Sequence, residues 1–230
     1  MLEIKDLTVE YADGKRAVDG IRFTLGAGEN AALIGANGAG KTTLLHALVG
    51  VLEAKTGVVA VDGVTLVKKS LCTIRKNVGL VFQNPDDQLF MPDIFEDVAF
   101  GPRNLGLAED EVKTRVDAAL ETLGIAQLAR RSPLKLSGGE KRLSAIAAVL
   151  AMEPQYLLFD EPTAFLDPRA RRGLAEMLSV LPQGKLIATH QLDFAAQTCS
   201  RVLLLQDGKL VADGGIALLG DKRLLESAGL

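Results

Sequence analysis

The sequence has no tryptophan, only 4% aromatic residues and two cysteines. Cys72 and Cys199 lie far apart with no CxxC pattern, so a disulfide scaffold is excluded and a reducing compartment is favoured. A membrane-spanning helix needs ~20 apolar residues, and the best run, Ala145–Met152, is far too short. The N-terminus carries charges where a secretion signal would be apolar. We therefore expect a soluble protein that can still dock on a membrane component.

The charge balance shows no excess of positive charge. The chain has 26 basic and 29 acidic residues, a formal net charge of −3, which gives no sign of a broad cationic face for nucleic acid. We therefore expect no nucleic-acid partner. With 230 residues, 48% hydrophobic and 24% charged, the composition is that of a globular chain able to bury a core. We predict a single domain over 1–230 that carries an inserted lobe.

Short apolar runs alternate with helix-like stretches along most of the chain. Strands are predicted at Leu2–Val9, Arg16–Leu25, Asn30–Ile34, Val58–Val61, Val78–Phe82, Tyr156–Asp160, Leu186–Thr189, Val202–Gln206 and Leu210–Asp213. Helices are predicted at Lys41–Gly50, Asp93–Phe100, Glu109–Gly124, Gly138–Ala151, Pro168–Leu181, Gln191–Thr198 and Ile216–Leu219. This alternation favours an α/β fold with a mainly parallel sheet. The early strands, joined by tight turns, favour an antiparallel side sheet, and helices dominate between Asn84 and Ala151, which predicts an inserted helical subdomain at approximately 84–151.

A glycine-rich loop follows the predicted strand Asn30–Ile34 and precedes a helix. Its sequence, GANGAGKTT, fits GxxxxGK[ST] in the required order of strand, loop and helix. Glycines allow close backbone approach, so that loop N–H groups can surround an anion at the helix N-terminus. The alternative is an ordinary glycine-rich turn. We predict that the loop binds a nucleoside triphosphate through Gly35, Asn37, Gly38, Gly40, Lys41, Thr42 and Thr43.

The apolar strand Tyr156–Phe159 ends in two acids, Asp160 and Glu161. A buried strand that delivers a carboxylate at its end can hold Mg²⁺ near phosphates. We predict that Asp160 holds the metal through water, with Thr42 as a further ligand, and that Glu161 is the base that polarises the attacking water. The alternative is a strand that leaves the core into a solvated acidic turn.

A third motif, Leu136-Ser137-Gly138-Gly139-Glu140, lies between the helical lobe and a long amphipathic helix. Together with the two preceding motifs it resembles the ATP-binding cassette (ABC) ATPases, over essentially all 230 residues and in that family's order. The resemblance implies a P-loop NTPase (RecA-like) core and hydrolysis of ATP with Mg²⁺. Ser137, Gly138 and Gly139 would form a second anion cup at a helix start, closing over ATP held by a second subunit, most simply in a homodimer. A plain Ser-Gly-Gly helix cap is the alternative.

The same resemblance implies four further roles. Tyr11 would stack on adenine, although a tyrosine at a strand end can equally be a packing residue. Gln83 would sense Mg²⁺, and His190 would contact the γ-phosphate. Asp167 would communicate across the dimer. The other histidine, His46, is interpreted as structural.

The sequence departs from the ABC pattern at two positions. Glu140 replaces the glutamine that usually ends the third motif, and the bulky Phe165 stands where a small residue is commoner.

The segments at 84–90 and 94–107 resemble the energy-coupling-factor importers of prokaryotes. That resemblance implies two membrane partners, a transmembrane scaffold subunit and a cargo-binding subunit. Asp86 and Asp87 would pair with arginines of the scaffold subunit. The protein would then be cytoplasmic and peripheral on the inner face of the cell membrane. Segments 147–152, 212–219 and 224–230 look most like cobalt or nickel uptake ATPases, and this resemblance implies cobalt or nickel as cargo, with a vitamin such as biotin as the alternative. A soluble non-transport ABC ATPase and a regulatory nucleotide binder are the competing classes.

Overall fold

A computed structural model describes residues 1–164 and 166–230; Phe165, one of the two departures, lies outside the described residues. The strands are β1 (Leu2–Glu10), β2 (Arg16–Leu25), β3 (Asn30–Ile34), β4 (Thr56–Val61), β5 (Val64–Thr65), β6 (Val78–Val81), β7 (Tyr156–Asp160), β8 (Gly184–Thr189), β9 (Arg201–Gln206) and β10 (Lys209–Gly215). The α-helices are α1 (Lys41–Leu48), α2 (Leu71–Asn77), α3 (Ile94–Asn104), α4 (Glu109–Thr122), α5 (Gly138–Leu150), α6 (Pro168–Val180), α7 (Leu192–Thr198) and α8 (Lys222–Ser227).

The described residues form two compact units. The first comprises 1–80, 155–161 and 181–230, and the second comprises 81–154 and 162–180. The first unit holds almost all of the strands, and the second holds α3, α4, α5 and α6.

The first unit contains a six-stranded sheet in the order β10-β9-β3-β8-β7-β6. Strand β3 lies between β8 and β9 and pairs in parallel with both, and β7 pairs in parallel with β8. All residues of β7 and β8 are buried, which is the continuous burial expected of parallel strands covered on both faces. The mainly parallel sheet that the alternating pattern predicts is confirmed, with β10 added as an antiparallel edge next to β9.

The antiparallel side sheet is also confirmed. Its four strands lie in the order β2-β1-β4-β5, and each neighbouring pair is antiparallel. One apolar core in this unit joins inward residues of β1 and β2, such as Leu2 and Leu25, to Leu44 and Leu48 of α1 and Leu186 of β8. The core thus holds α1, which begins immediately after the phosphate loop, in a fixed position on the sheet.

The second unit is built around α3, α4 and α5, with fully buried Val98, Val116 and Ile146 among its packed side chains. Gly101 of α3 permits a close helix approach, because a Cβ there would come within 2.6 Å of the Met152 side chain. The Asp97 carboxylate accepts hydrogen bonds of 2.9 Å from the Phe90 and Met91 N–H groups. Burial raises the pKa of Asp97 despite these two bonds.

Some predicted elements differ from the structure. Strand β5 and helix α2 were not predicted, because β5 has only two residues and α2 buries only Ile74, which leaves no apolar period to detect. The helix predicted at Ile216–Leu219 is a 3₁₀ helix over Ile216–Gly220 without buried residues. None of the described helices is long and apolar enough to cross a bilayer.

Candidate nucleotide site

The phosphate loop connects β3 to α1, and its backbone requires glycine. Gly40 is the N-cap of α1 with a φ of +105°, and a Cβ there would lie 2.1 Å from the carbonyl oxygen of Ala17. Gly38 also has a positive φ, +83°, but a Cβ there would meet nothing within 4 Å. Gly40 is therefore fixed by close backbone packing, whereas Gly38 borders open space where a ligand can approach the main chain.

The Lys41 ammonium is buried among acceptors. It donates to the carbonyl oxygens of Gly35 at 2.7 Å and Ala36 at 3.1 Å. It also lies 3.6 Å from Oε1 of Glu161. An ammonium group has three donors, and these contacts hold it beside the loop backbone, where it would supply a positive charge to phosphate oxygens.

Asp160 ends β7, the strand next to β8 in the parallel sheet. Burial raises the pKa of the Asp160 carboxyl, and the negative charge of the neighbouring Glu161 raises it further. A hydrogen bond from the Thr42 hydroxyl and the positive charge of Lys41 lower this pKa in part. The Oδ1 atom of Asp160 is buried without a hydrogen-bond partner among the described residues. A buried carboxylate oxygen without a protein partner is suited to bind Mg²⁺ or to accept a hydrogen bond from a metal-bound water. Thr42 beside it offers a hydroxyl ligand.

Glu161 occupies a strained position between Lys41 and His190. Its φ of +42° is unusual for a residue with a side chain, and its N–H donates to the Ala188 carbonyl at 2.9 Å, which holds that conformation. Its Oε1 lies 2.9 Å from Nδ1 of His190. Oε2 is buried and makes no hydrogen bond within the described residues, so one carboxylate oxygen is oriented by protein contacts while the other stays available to an additional donor.

Tyr11 follows β1 and is 43% exposed. Its hydroxyl shares a 2.7 Å hydrogen bond with Oγ1 of Thr43, the third residue of α1. This bond ties an exposed aromatic ring to the helix that begins at the phosphate loop. The position suits stacking on a base next to the bound phosphates.

A small cavity of about 240 Å³ joins Asn37 of the phosphate loop to His190. Leu192, Gly229 and Leu230 complete it together with Ala36. Nothing in the local sequence indicates that 229–230 line this cavity, because the packing of α8, where Leu225 and Ala228 are buried, brings these residues to the loop.

The predicted second anion cup, Ser137–Gly139, is the second anion motif of this chain and lies in the second unit, at the start of α5. Ser137 is the N-cap, and its Oγ accepts a hydrogen bond from the Glu140 N–H at 3.3 Å. Oε2 of Glu140 accepts from the Ser137 N–H and the Ser137 hydroxyl, each at 2.8 Å. The two residues form a complete capping box. The backbone hydrogen bond from Ser137 lowers the pKa of Glu140, so the carboxylate is ionised near neutral pH.

Asp167 lies in the same unit and precedes α6. Its carboxylate accepts a 2.8 Å hydrogen bond from the Ala170 N–H. A cavity of about 900 Å³ is lined by Ser137, Gly139 and Asp167, among others. The second anion motif and Asp167 therefore line the same cavity, as is expected of residues that contact one partner.

The ABC transporter family model matches residues 18–164. The chain belongs to the ABC transporter ATPase family. ATP binding and ATP hydrolysis follow from this membership.

Relatives match this ABC ATPase along nearly all of its length. It is 48% identical to the cobalt import ATP-binding protein CbiO of Syntrophus aciditrophicus, over 93% of this chain and 78% of that protein. It is 45% identical to the energy-coupling factor transporter ATP-binding protein EcfA of Methanothermobacter thermautotrophicus, over 100% of this chain and 76% of that protein.

Solved structures are similar as well. CbiO1 from Clostridium perfringens, described as part of the ABC transporter complex CbiONQ, superposes with a TM-score of 0.85 at 36% identity, covering 97% of this chain and 92% of that one. The ABC transporter cassette MJ0796, in a dimeric post-hydrolysis state with ADP and Pi, gives a TM-score of 0.83 at 25% identity, covering 94% and 99%.

Gln83 of this ABC ATPase is an exposed residue of the second unit, two positions after β6. The two acids expected at the scaffold contact lie close by. Asp86 pairs with Lys141 of α5 at 2.6 Å, and Asp87 accepts a 3.3 Å hydrogen bond from the Asn84 side chain. Sequence reasoning did not anticipate that Asp86 already has a cationic partner within its own unit.

Proposed function

We propose that this ABC ATPase is the ATP-hydrolysing motor subunit of an energy-coupling-factor importer, in which two copies enclose two ATP molecules. The observation that carries the proposal is the cluster of Lys41, Glu161 and His190, joined by contacts of 3.6 and 2.9 Å beside the phosphate loop. A cation, a carboxylate and an imidazole in this order suit the splitting of a phosphoanhydride by water.

The residues of the first unit have separate tasks in this reaction. The N–H groups from Gly35 to Gly40 and the start of α1 would hold the phosphates, and Lys41 would neutralise charge on them. Thr42 and Asp160 of this unit are the proposed holders of Mg²⁺. When bound, Mg²⁺ supplies a Lewis acid that offsets charge on the β- and γ-phosphate oxygens. Tyr11 would orient the adenine by stacking.

Glu161 is the proposed general base. Oε1 is held by His190 and lies near Lys41, while Oε2 is buried with no hydrogen bond from the described residues. Oε2 is therefore the oxygen suited to accept a proton from the attacking water. His190 would keep the carboxylate in position and would contact the γ-phosphate of ATP.

The second anion motif supports a pair of subunits. Ser137, Gly138 and Gly139 present a capped helix start, and Asp167 lines the same cavity as Ser137 and Gly139. We propose that this surface closes over ATP bound to the other copy and that Asp167 relays contacts between the two. The similarity to a dimeric cassette is in keeping with a homodimer.

The membrane partners in this proposal are a transmembrane scaffold and a cargo-binding subunit, with the motor peripheral on the cytoplasmic face of a prokaryotic membrane. Similarity to EcfA and to a component of CbiONQ supports them. Asp86 and Asp87, both exposed, would meet basic residues of the scaffold; Asp86 would then exchange its bond with Lys141 for one with the partner.

We propose cobalt or nickel as the cargo, on the similarity to a cobalt import ATPase. A vitamin such as biotin is the second candidate, supported by the comparable similarity to EcfA.

Affinity purification of the tagged chain from membranes tests the motor assignment. The expected result is recovery with integral membrane proteins and an ATPase activity that depends steeply on ATP concentration. A matched preparation of Lys41→Ala should retain the membrane proteins and lose ATPase activity. Recovery of an active ATPase with no integral membrane protein would favour the soluble, non-transport class instead.

Uptake measurements in the source cells test the cargo. Cells that lack this gene should lose accumulation of labelled cobalt or nickel while keeping biotin uptake, and the wild-type gene, but not Lys41→Ala, should restore it. Loss of biotin uptake alone would replace the metal assignment with the vitamin.

A further inference from the structure

A two-residue turn joins β9 to β10 in the first unit. Its residues, Asp207 and Gly208, have φ values of +47° and +78°, and Gln206 pairs with Lys209 across them. Positive φ at both central residues is the type I′ geometry that suits a two-residue hairpin, and Asp-Gly is a preferred sequence for it. Asp207 is exposed, whereas Gly208 is buried. Gly208 therefore has neighbours that the hairpin alone does not require.

Both main-chain groups of Gly208 bond to segments outside the hairpin. Its N–H donates to the carbonyl oxygen of Ala39 in the phosphate loop at 3.0 Å, and its carbonyl oxygen accepts a 2.8 Å hydrogen bond from the Asp19 N–H of β2. A Cβ at Gly208 would lie 2.9 Å from the Ala17 carbonyl oxygen, so only a residue without a side chain fits this contact. Gly208 thus links β2 of the side sheet to the phosphate loop.

The hairpin also meets the first residue of the phosphate loop. A Cβ at Gly35 would lie 2.5 Å from the carbonyl oxygen of Leu205, near the end of β9. This closeness follows from the sheet, because β9 runs parallel to β3 with Leu204 opposite Ile34, and neighbouring parallel strands end at the same edge. The segment after β9 therefore lies beside the segment after β3, and the hairpin contacts the phosphate loop at both ends.

The bond to Ala39 fixes the direction of one peptide group of the loop. A trans peptide is planar, with its C=O and its N–H on opposite sides, and the peptide between Ala39 and Gly40 is trans. Since the Ala39 carbonyl is directed at Gly208, the Gly40 N–H is directed away from the hairpin. Gly40 is the N-cap of α1, and N–H groups at a helix start attract anions. The turn therefore sets the direction of an N–H group at the anion-binding end of α1.

We propose that Gly208 is a positioning residue for ATP binding: its N–H holds the Ala39 carbonyl, and the Gly40 N–H is thereby aimed at a phosphate of the nucleotide. The inference rests on the proposed function, in which the N–H groups from Gly35 to Gly40 hold the phosphates. Gly208 acts through the loop rather than on the phosphate itself. Its hydrogen bond from Asp19 anchors it to the side sheet.

A second Asp-Gly turn in the same unit supplies a matched control. Asp62 and Gly63 join β4 to β5 with φ values of +48° and +80°, and Val61 pairs with Val64 across them. A Cβ at Gly63 would meet nothing within 4 Å. Alanine at either glycine therefore imposes the same left-handed strain on the same type of turn, and only Gly208→Ala also adds a close backbone contact.

The test measures the Kd for ATP and for inorganic triphosphate by calorimetry, in the full chain and at a temperature at which each variant is folded. Gly208→Ala should raise both Kd values at least ~10-fold, because a directed N–H to a charged group is lost. Gly63→Ala should lower the melting temperature and leave both Kd values within about twofold. Lys41→Ala, the positive control, should bind neither ligand. A glycine that only stabilised its hairpin would change the melting temperature alone.

A backbone ester removes the same hydrogen bond without adding an atom. Ligation of a 1–198 thioester to a synthetic 199–230 peptide uses the native Cys199 at the junction and allows glycolic acid in place of Gly208. The ester lacks the N–H that bonds Ala39 and keeps the freedom of a residue without a side chain, so it decides the question if Gly208→Ala does not fold. Its Kd for triphosphate should exceed that of the all-amide ligated chain about 3- to 10-fold.

Three results would overturn the inference. Unchanged triphosphate binding in Gly208→Ala and in the ester, with binding lost in Lys41→Ala, would refute the role of Gly208 and leave the role of the phosphate loop intact. Equal losses of binding in Gly208→Ala and Gly63→Ala would show that strain at any turn explains the effect. Triphosphate binding that survives in Lys41→Ala would refute the proposed phosphate site itself, and this inference with it.

Discussion

Nδ1 of His190 and Oε1 of Glu161 lie 2.9 Å apart, although the two residues are separated by 29 positions in the sequence. The parallel pairing of β7 with β8, with Asp160 opposite Ala188, brings the two strand ends together. The side-chain bond therefore depends on the register of the sheet.

The first prediction concerns Glu161→Gln. The amide keeps the size of the side chain but cannot accept a proton from water, so the ATPase rate should fall ~100-fold or more. ATP binding should persist, and the dimer should accumulate with ATP in size-exclusion chromatography. Wild-type turnover in this variant would show that Glu161 is not the base.

The second prediction compares two glycines with similar backbone angles. Gly40→Ala places a Cβ 2.1 Å from the Ala17 carbonyl oxygen, whereas a Cβ at Gly63, with a φ of +80°, meets nothing within 4 Å. Gly63→Ala should cost only the left-handed backbone strain of ~1–2 kcal/mol. Gly40→Ala should cost more and should also abolish ATP binding, as measured by thermal unfolding and nucleotide titration. Equal effects of the two substitutions would contradict the packing role of Gly40.

The third prediction separates two functions of Tyr11. Tyr11→Ala removes the proposed stacking surface, worth ~0.5–1.5 kcal/mol, and should raise the Kd for ATP up to ~10-fold. Tyr11→Phe removes only the bond to Thr43 and should change the Kd about twofold at most. Binding of inorganic triphosphate, which has no base, should be unaffected in both variants. An equal loss for ATP and triphosphate would assign Tyr11 to packing.

The fourth prediction concerns the departure at Glu140. Glutamine can retain the capping bond to Ser137, but it removes a negative charge beside the anion cup and loses the favourable interaction of that charge with the helix N-terminus. Glu140→Gln should lower stability by ~0.3–1 kcal/mol and should reduce the ATP concentration required for dimer formation, measured by light scattering. A higher ATP requirement would place Glu140 among the groups that help the cup close.

The fifth prediction concerns the two thiols. Cys72 is exposed and Cys199 is buried, and burial raises the pKa of Cys199 from 9.0 to about 11. Only Cys72 should react with a thiol reagent in the native chain at pH 8. Between pH 9 and 11 the unfolded state loses the Cys199 proton first, so the contribution of this thiol to stability should fall as pH rises.

Cys199→Ala provides the control for that pH dependence. The melting temperature of the wild type, taken relative to that of Cys199→Ala, should decrease between pH 8 and pH 10.5. A constant difference would contradict the raised pKa.

The fold class was predictable because its signals are local. Strands β2, β3 and β7 have the predicted bounds, because alternating polar and apolar residues in β2 and apolar runs in β3 and β7 are both local signals of a strand. Element ends are less well determined. The helix predicted at Lys41–Gly50 ends at Leu48, because Gly50 takes a φ of +66°, a conformation that ends a helix.

The candidate site was only partly predictable. The residue types and their spacing identify the phosphate loop, the acid pair and the Ser137–Gly139 motif, because each depends on a few consecutive residues. Nothing local indicates that Gly208 bonds to Ala39 or that Asp86 pairs with Lys141, since these contacts join residues far apart in the sequence.

The sequence by itself determined which motifs the chain carries: a glycine-rich loop between a strand and a helix, a carboxylate pair at a strand end and a Ser-Gly-Gly motif at a helix start. Only the tertiary structure decided which atoms meet. It placed the strained Glu161 between Lys41 and His190 and set the Gly208 turn against the phosphate loop. The reason is physical: a motif is fixed by backbone geometry over a few residues, whereas a contact between distant side chains depends on sheet register and helix packing across the whole unit.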